Sequence, residues 1–291
     1  MEVPAAVSPR PRRRGAYGLH LTGLETASRY LVDVPPTCPT LAIDRIVGAA
    51  AIGKATSTLT DDWAEFGFLD RTDRVGHARI NRDPLSARFT SPAGFDDDAM
   101  IHPGLSLIAA VANRWLGRDA FHAGAFVTEA GAWAVMGARE AGKSTTLGHL
   151  TAKGLGLVTD DVLIVEDGQA LAGPRCIDLR ESAASWLGQG ADNVLTIGQR
   201  RRWRTHVPPV PHTVPLQGWI LPTWGDRVEL ESVAAVRRLP LLYANLALTQ
   251  IPRQPEQLLR LAALPFLVFR RPRRWETMDE AATALLDRLN N

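Results

Sequence analysis

Cysteine, lysine and long apolar runs are what this chain has least of. Cys38 and Cys176 are the only two cysteines in 291 residues. They are too few and too far apart in sequence for a disulfide framework or a cysteine metal site, so a reducing, cytoplasmic setting is expected. No stretch approaches the ~20 apolar residues that a membrane span needs, and no apolar run follows the basic start to make a signal peptide. No membrane partner is expected. Charge of one sign is also lacking: Lys+Arg 33 against Asp+Glu 31 leaves +2, too little to argue for nucleic acid. Lysine occurs only at Lys54, Lys143 and Lys153, so any lysine retained among so many arginines points to a place where a compact ammonium is needed.

Lys143 stands in such a place. Residues 137–144 read GAREAGKS and fit the phosphate-loop pattern GxxxxGK[ST] at every fixed position. Gly137 and Gly142 permit the backbone conformations and close approach that point successive N–H groups of Ala138, Arg139, Glu140 and Ala141 at phosphate oxygens. Lys143 supplies charge and Ser144 offers a hydroxyl to Mg²⁺. A helix beginning near Thr145 would aim the positive end of its dipole into the same cup. The apolar run 132–136 leads in as a buried strand should. ATP and Mg²⁺ are the expected cofactors.

The remainder divides into three parts. Residues 1–15, with Arg10, Arg12, Arg13 and Arg14 among prolines, read as a flexible basic tail. Residues 16–118 carry short alternating segments (YGLHL, RYLVDV, TLAIDRIV, HARINRDPLSARF) and so form a smaller β-rich region, closed by a buried connecting helix over 105–116. Asp96, Asp97 and Asp98 precede that helix and suit a helix N-terminus better than a metal. Residues 119–291, which carry the phosphate loop, are expected to form the P-loop domain. There the sequence predicts two strands before the loop, a short helix after it, a strand over 155–159, and a hairpin turning at Asp167-Gly168.

Asp160 and Asp161 end the strand over 155–159. A carboxylate there is where nucleotide enzymes hold Mg²⁺, and a second is free to accept a substrate hydroxyl proton, provided the chain bends so that both reach the site. Further on, CIDLR puts Asp178 and Arg180 on one face of an extended segment, in reach of one anionic centre or as a surface ion pair. The basic run QRRRWR over 199–204 precedes a proline-rich stretch and reads either as a grip on an anionic substrate or as a solvated loop.

The order His122-Ala123, GAREAGKSTT, LGLVTDDVLIV and IDLR resembles the catalytic domain of the HPr kinase/phosphorylase family and its HPr-kinase-like relatives, over about 121–180. That resemblance implies a mixed α/β (α+β) fold like that of phosphoenolpyruvate carboxykinase around the nucleotide, and phosphoryl transfer to a serine hydroxyl of a peptide or protein. It implies catalytic roles for His122, Lys143, Asp160 and Asp161, phosphate contact by the loop and Arg180, and a metal held by Ser144, Asp160 and Asp178. It also favours a homo-oligomer. Asp178 stands where the family has Glu, and Glu181-Ser182-Ala183 replaces its Gly-rich continuation. The layout as a whole is similar to HPr-kinase-like enzymes that accompany ribosomally made peptides, including kinases of the C-terminal serine of lasso-peptide precursors. A small-molecule hydroxyl kinase and a P-loop NTPase switch share the same core motifs.

Overall fold

The computed structural model describes residues 13–48, 57–69, 75–91, 96–190, 193–197, 200–248 and 255–290. Of the basic tail, residues 1–12, with Arg10 and Arg12, lie outside them, as does Lys54; Arg14 already belongs to the first strand, Arg14–Ala16. The fold is mixed α/β, with sheets that combine parallel and antiparallel pairs.

Alternation of apolar and polar residues builds the first sheet. In Thr40–Val47, Leu41 and Ile43 face inward while Thr40, Ala42 and Asp44 are exposed. Among the described residues this sheet has eight strands, with Thr40–Val47 parallel to Leu19–Thr22 and to Ser86–Ser91. The segment RYLVDV, expected as one strand, instead closes a 3₁₀ turn, Glu25–Tyr30, and keeps only Val32–Asp33 extended. Helix Leu105–Trp115 is apolar around most of its circumference and is buried accordingly. It shares a core with the sheet residues Leu41, Ile80 and Phe89 and with Val162, Ile164 and Leu171 from beyond residue 118. The aspartates before it act as helix-start groups: the Asp96 side chain accepts from Ala99 N, and Asp97 pairs with Arg45.

Three parallel strands carry the second half of the chain. Gly131–Met136, Thr213–Trp224 and Phe266–Arg271 lie side by side, with Val135 opposite Ile220 and Ile220 opposite Leu267. All three therefore end at one edge, where open α/β sheets bind their ligands. Gly131–Met136 is buried at every position, as its uninterrupted apolar sequence requires. The hairpin turn falls at Asp167 (φ 48°) and Gly168 (φ 76°), both left-handed as a tight primed turn demands. The basic run is no loop: Arg200–His206 is the middle strand of a three-stranded sheet between Cys176–Leu179 and Val194–Ile197. Gln199 lies outside the described residues. Helices Glu181–Leu187 and Pro255–Ala263 had no counterpart in the sequence reading.

Candidate active site

Strand register assembles the site. Ala123 lies opposite Met136 in an antiparallel pair, which puts His122 beside Gly137 at the same sheet edge. Ala125 lies opposite Thr159, which brings the chain that follows Thr159 there as well. The strand Gly156–Thr159 stops and bends at Asp160 and Asp161, with Thr159 Oγ1 donating to Val162 O at 2.9 Å across the bend. The bend lets both carboxylates reach one cleft, which a straight strand would forbid.

Gly142, at φ 89°, caps helix Lys143–Ala152 in the left-handed conformation, and Thr146 N bonds back to Gly142 O at 2.9 Å. Glu140 at φ 69° and Gly137 at φ 143° turn the loop between strand and helix. The first N–H groups of that helix face the cleft unpaired by helix carbonyls, the arrangement that attracts anions. Lys143 Nζ donates to Gly137 O at 2.7 Å and to Ala138 O at 3.3 Å. Burial lowers its pKa, and the charges of Asp161 and Asp160 work against that.

The cleft holds about 580 Å³ and is lined by His122, Arg139, Glu140, Gly142, Lys143, Ser144, Thr145, Asp160, Asp161, Asp178 and Arg180, among others. Of the residues expected at the site, Gly137, Ala138 and Ala141 shape the loop without lining the cleft.

The two adjacent aspartates differ. Burial pushes the Asp160 carboxyl up to about 6, opposed by the Ser144 hydroxyl and the Asp178 backbone N–H, which reaches Oδ2 at 3.2 Å. Its Oδ1 is buried with no partner. A buried oxygen left unpaired beside a hydroxyl suits a hard cation, so Ser144 and Asp160 fit Mg²⁺ by donor type. Among the described residues no group of three or more His, Cys, Asp and Glu side chains gathers as a metal site. Asp161 lies nearer solvent, its Oδ1 3.5 Å from Nδ1 of His122, whose pKa is lowered by burial and raised in part by Asp161.

Asp178 lines the cleft and is engaged by an arginine. Both of its oxygens accept from Arg204, Nε to Oδ1 and Nη2 to Oδ2 at 2.7 Å each. Burial alone would raise its pKa, but the Arg204 bonds together with the charges of His102, Arg204 and Arg202 outweigh that and hold the carboxyl below its ordinary range. Asp178 and Arg180 do not pair with each other. Arg180 Nη2 reaches Glu140 Oε1 at 3.0 Å across the cleft mouth.

Sequence reasoning missed the opposite wall. Trp224, Arg271, Arg273, Arg274 and Trp275 line the cleft from the ends of two parallel strands and the turn that follows. Trp224 Nε1 donates to Glu140 O at 3.2 Å, and Arg271 lies over the indole at 4.5 Å from its centroid. The signal was present in PFLVFRR, an apolar strand ending in arginines, but it becomes informative only when that strand is known to be parallel to the one before the loop.

No family model and no curated protein matches the chain in sequence. Among the described residues no helix is long and apolar enough to cross a membrane.

Proposed function

We propose that the protein is an ATP- and Mg²⁺-dependent kinase that transfers the γ-phosphoryl group to a serine hydroxyl of a peptide or protein. One observation carries the reading: Asp160, Asp161 and His122 converge with Lys143 and Ser144 on one cleft at the glycine loop. A loop serving only to hold nucleotide has no use for a histidine-oriented carboxylate beside its lysine.

The loop N–H groups and Lys143 receive the β- and γ-phosphates, neutralising charge that spreads over the phosphoryl oxygens in transfer. Ser144 and Asp160 would hold Mg²⁺, whose charge would further neutralise the phosphates. Asp161, oriented by His122, accepts the proton of the acceptor serine. The serine Oγ forms a bond to the γ-phosphorus, the bond to the β–γ bridging oxygen breaks, and ADP leaves with that electron pair. Arg180 and Arg139 stand at the mouth, where they limit the freedom of the phosphates or of an anionic acceptor. The likeness to HPr-kinase-like enzymes supports a P-loop core of this kind, and a peptide acceptor such as a lasso-peptide precursor is the form it suggests.

The test is transfer of label from γ-labelled ATP, with Mg²⁺, into a library of serine-containing peptides by the full chain and by Asp161→Asn. Labelled phosphoserine is expected, with the rate falling roughly 10²–10⁴-fold in the variant. Release of phosphate to water alone would favour the switch, and transfer that is indifferent to Asp161 would overturn the assigned base.

A further inference from the structure

Arg271 closes strand Phe266–Arg271 and is 2% exposed. Buried arginines are ordinarily paired with carboxylates and carbonyls. Among the described residues this one has no carboxylate partner. Nη2 reaches Thr146 Oγ1 at 3.4 Å, Nε is buried without any partner, and the face of the guanidinium rests on Trp224. It also packs against the last glycine of the loop, since a Cβ on Gly142 would stand 2.7 Å from Nη2.

That glycine caps helix Lys143–Ala152, so an unpaired guanidinium sits beside the positive end of a helix dipole. Two like-signed features side by side repel each other, and among the described residues no carboxylate pairs with this guanidinium. An anion in the cleft that Arg271 lines would offset both.

Position gives the anion a direction. Lys143 reaches the beginning of the loop, at Gly137 and Ala138, and feels the charges of Asp160 and Asp161. Arg271 reaches the end of the loop, at Gly142 and Thr146. Carboxylates and histidine therefore mark one end of the cleft, and arginine with tryptophan the other.

We propose that Arg271 is a nucleotide-binding residue that holds the part of the phosphate chain retained in the diphosphate product, at the opposite end of the loop from the one the Lys143 ammonium reaches. This rests on the reading of the cleft as a nucleotide site. Arg271 then contributes equally to ATP and ADP and takes no part in the transfer step. Its guanidinium lacks a carboxylate partner among the described residues because its anionic partner arrives with the ligand.

The experiment is calorimetric titration of ADP and of ATP into the full chain, wild type, Arg271→Met and Arg271→Lys, with the thermal midpoint of each unliganded protein recorded. Methionine fills the stem's volume without charge. Arg271→Met is expected to weaken ADP and ATP by the same factor, on the order of 10–100-fold, the scale of a hydrogen bond to a charged group. Its unliganded midpoint should equal or exceed that of the wild type, which a residue kept for structure alone would not allow. Arg271→Lys should recover part of the affinity and keep the wild-type kcat with a raised KM for ATP. Wild-type affinity for ADP in folded Arg271→Met overturns the proposal, as does a lowered midpoint with affinity intact. Should the methionine variant fail to fold, Arg271→Lys decides, because undiminished ADP affinity there overturns it equally. If wild-type protein binds neither ADP nor ATP, it is the nucleotide reading of the cleft that fails first.

Discussion

Two arginines, Arg271 in the cleft wall and Arg204 behind Asp178, are buried to the same degree, 2% exposed each, in opposite surroundings. Arg204, under Asp178, has every nitrogen occupied: two bonds to the carboxylate, Nη1 to Asp98 O at 2.6 Å, and Nη2 also to His102 O at 3.3 Å. These bonds tie the three-stranded sheet to the segment that leads into helix Leu105–Trp115. Arg271, under Gly142, has one long bond to a hydroxyl and a tryptophan face. Burial is equal and satisfaction is not. A fully paired buried arginine fastens parts of a fold together, whereas an unpaired one in a cleft wall is costly to the free protein and useful to a ligand.

The contrast breaks or sharpens under substitution. Arg204→Met leaves Asp178 buried and ionised without a partner, and should cost roughly 3–5 kcal/mol of stability in urea unfolding. Pairing it with Asp178→Asn should recover much of the loss.

A smaller effect comes from Asp160, whose carboxyl burial pushes up to about 6 from an ordinary 3.8. The folded state favours the protonated form, so the stabilising contribution is full below the ordinary value and is lost as pH rises through about 6. Asp160→Asn should therefore flatten stability between about pH 4 and 6 and gain about 2–3 kcal/mol at neutral pH. It should also weaken Mg²⁺-dependent binding of ATP. Asp119, likewise pushed up to about 6 by burial, adds a slope of the same sign that persists in this variant.

Arg271→Met should leave the stability of the free protein unchanged or raise it by up to roughly 2 kcal/mol, the upper range of single stabilising substitutions. Smallest is the exposed pair Arg180–Glu140 at the mouth. Glu140→Gln should leave the thermal midpoint unchanged within error, because exposed ion pairs are screened by solvent.

The loop and the Asp pair were legible because each is a local pattern, written within a few consecutive residues, whereas the bend at the pair was only a condition for both carboxylates to reach one cleft. The same holds for the strand Gly131–Met136, the hairpin turn and helix Leu105–Trp115. What escaped notice depends on pairing across the chain. Arg271 meets Thr146 from 125 residues away, and Arg204 meets Asp178 from 26. Read alone, the run 200–204 is polar and suits a loop. It becomes a strand because Leu179 and Val194 lie opposite Trp203 in its two neighbours. Helix Ala235–Ala244 retains Pro240 inside it, a residue that local propensity places at an end. The metal role expected of Asp178 came from a resemblance in a short motif, while the arginine that engages both of its oxygens comes from a separate strand, Arg200–His206.

The most direct test of the central claim is titration of ATP with Mg²⁺ into the full chain and into Lys143→Ala. The account predicts saturable binding by the wild type at one site per chain and at least about tenfold weaker binding by the variant, the loss of one charged hydrogen-bond donor to phosphate. Equal affinity of the two proteins, or no binding by either, would contradict it.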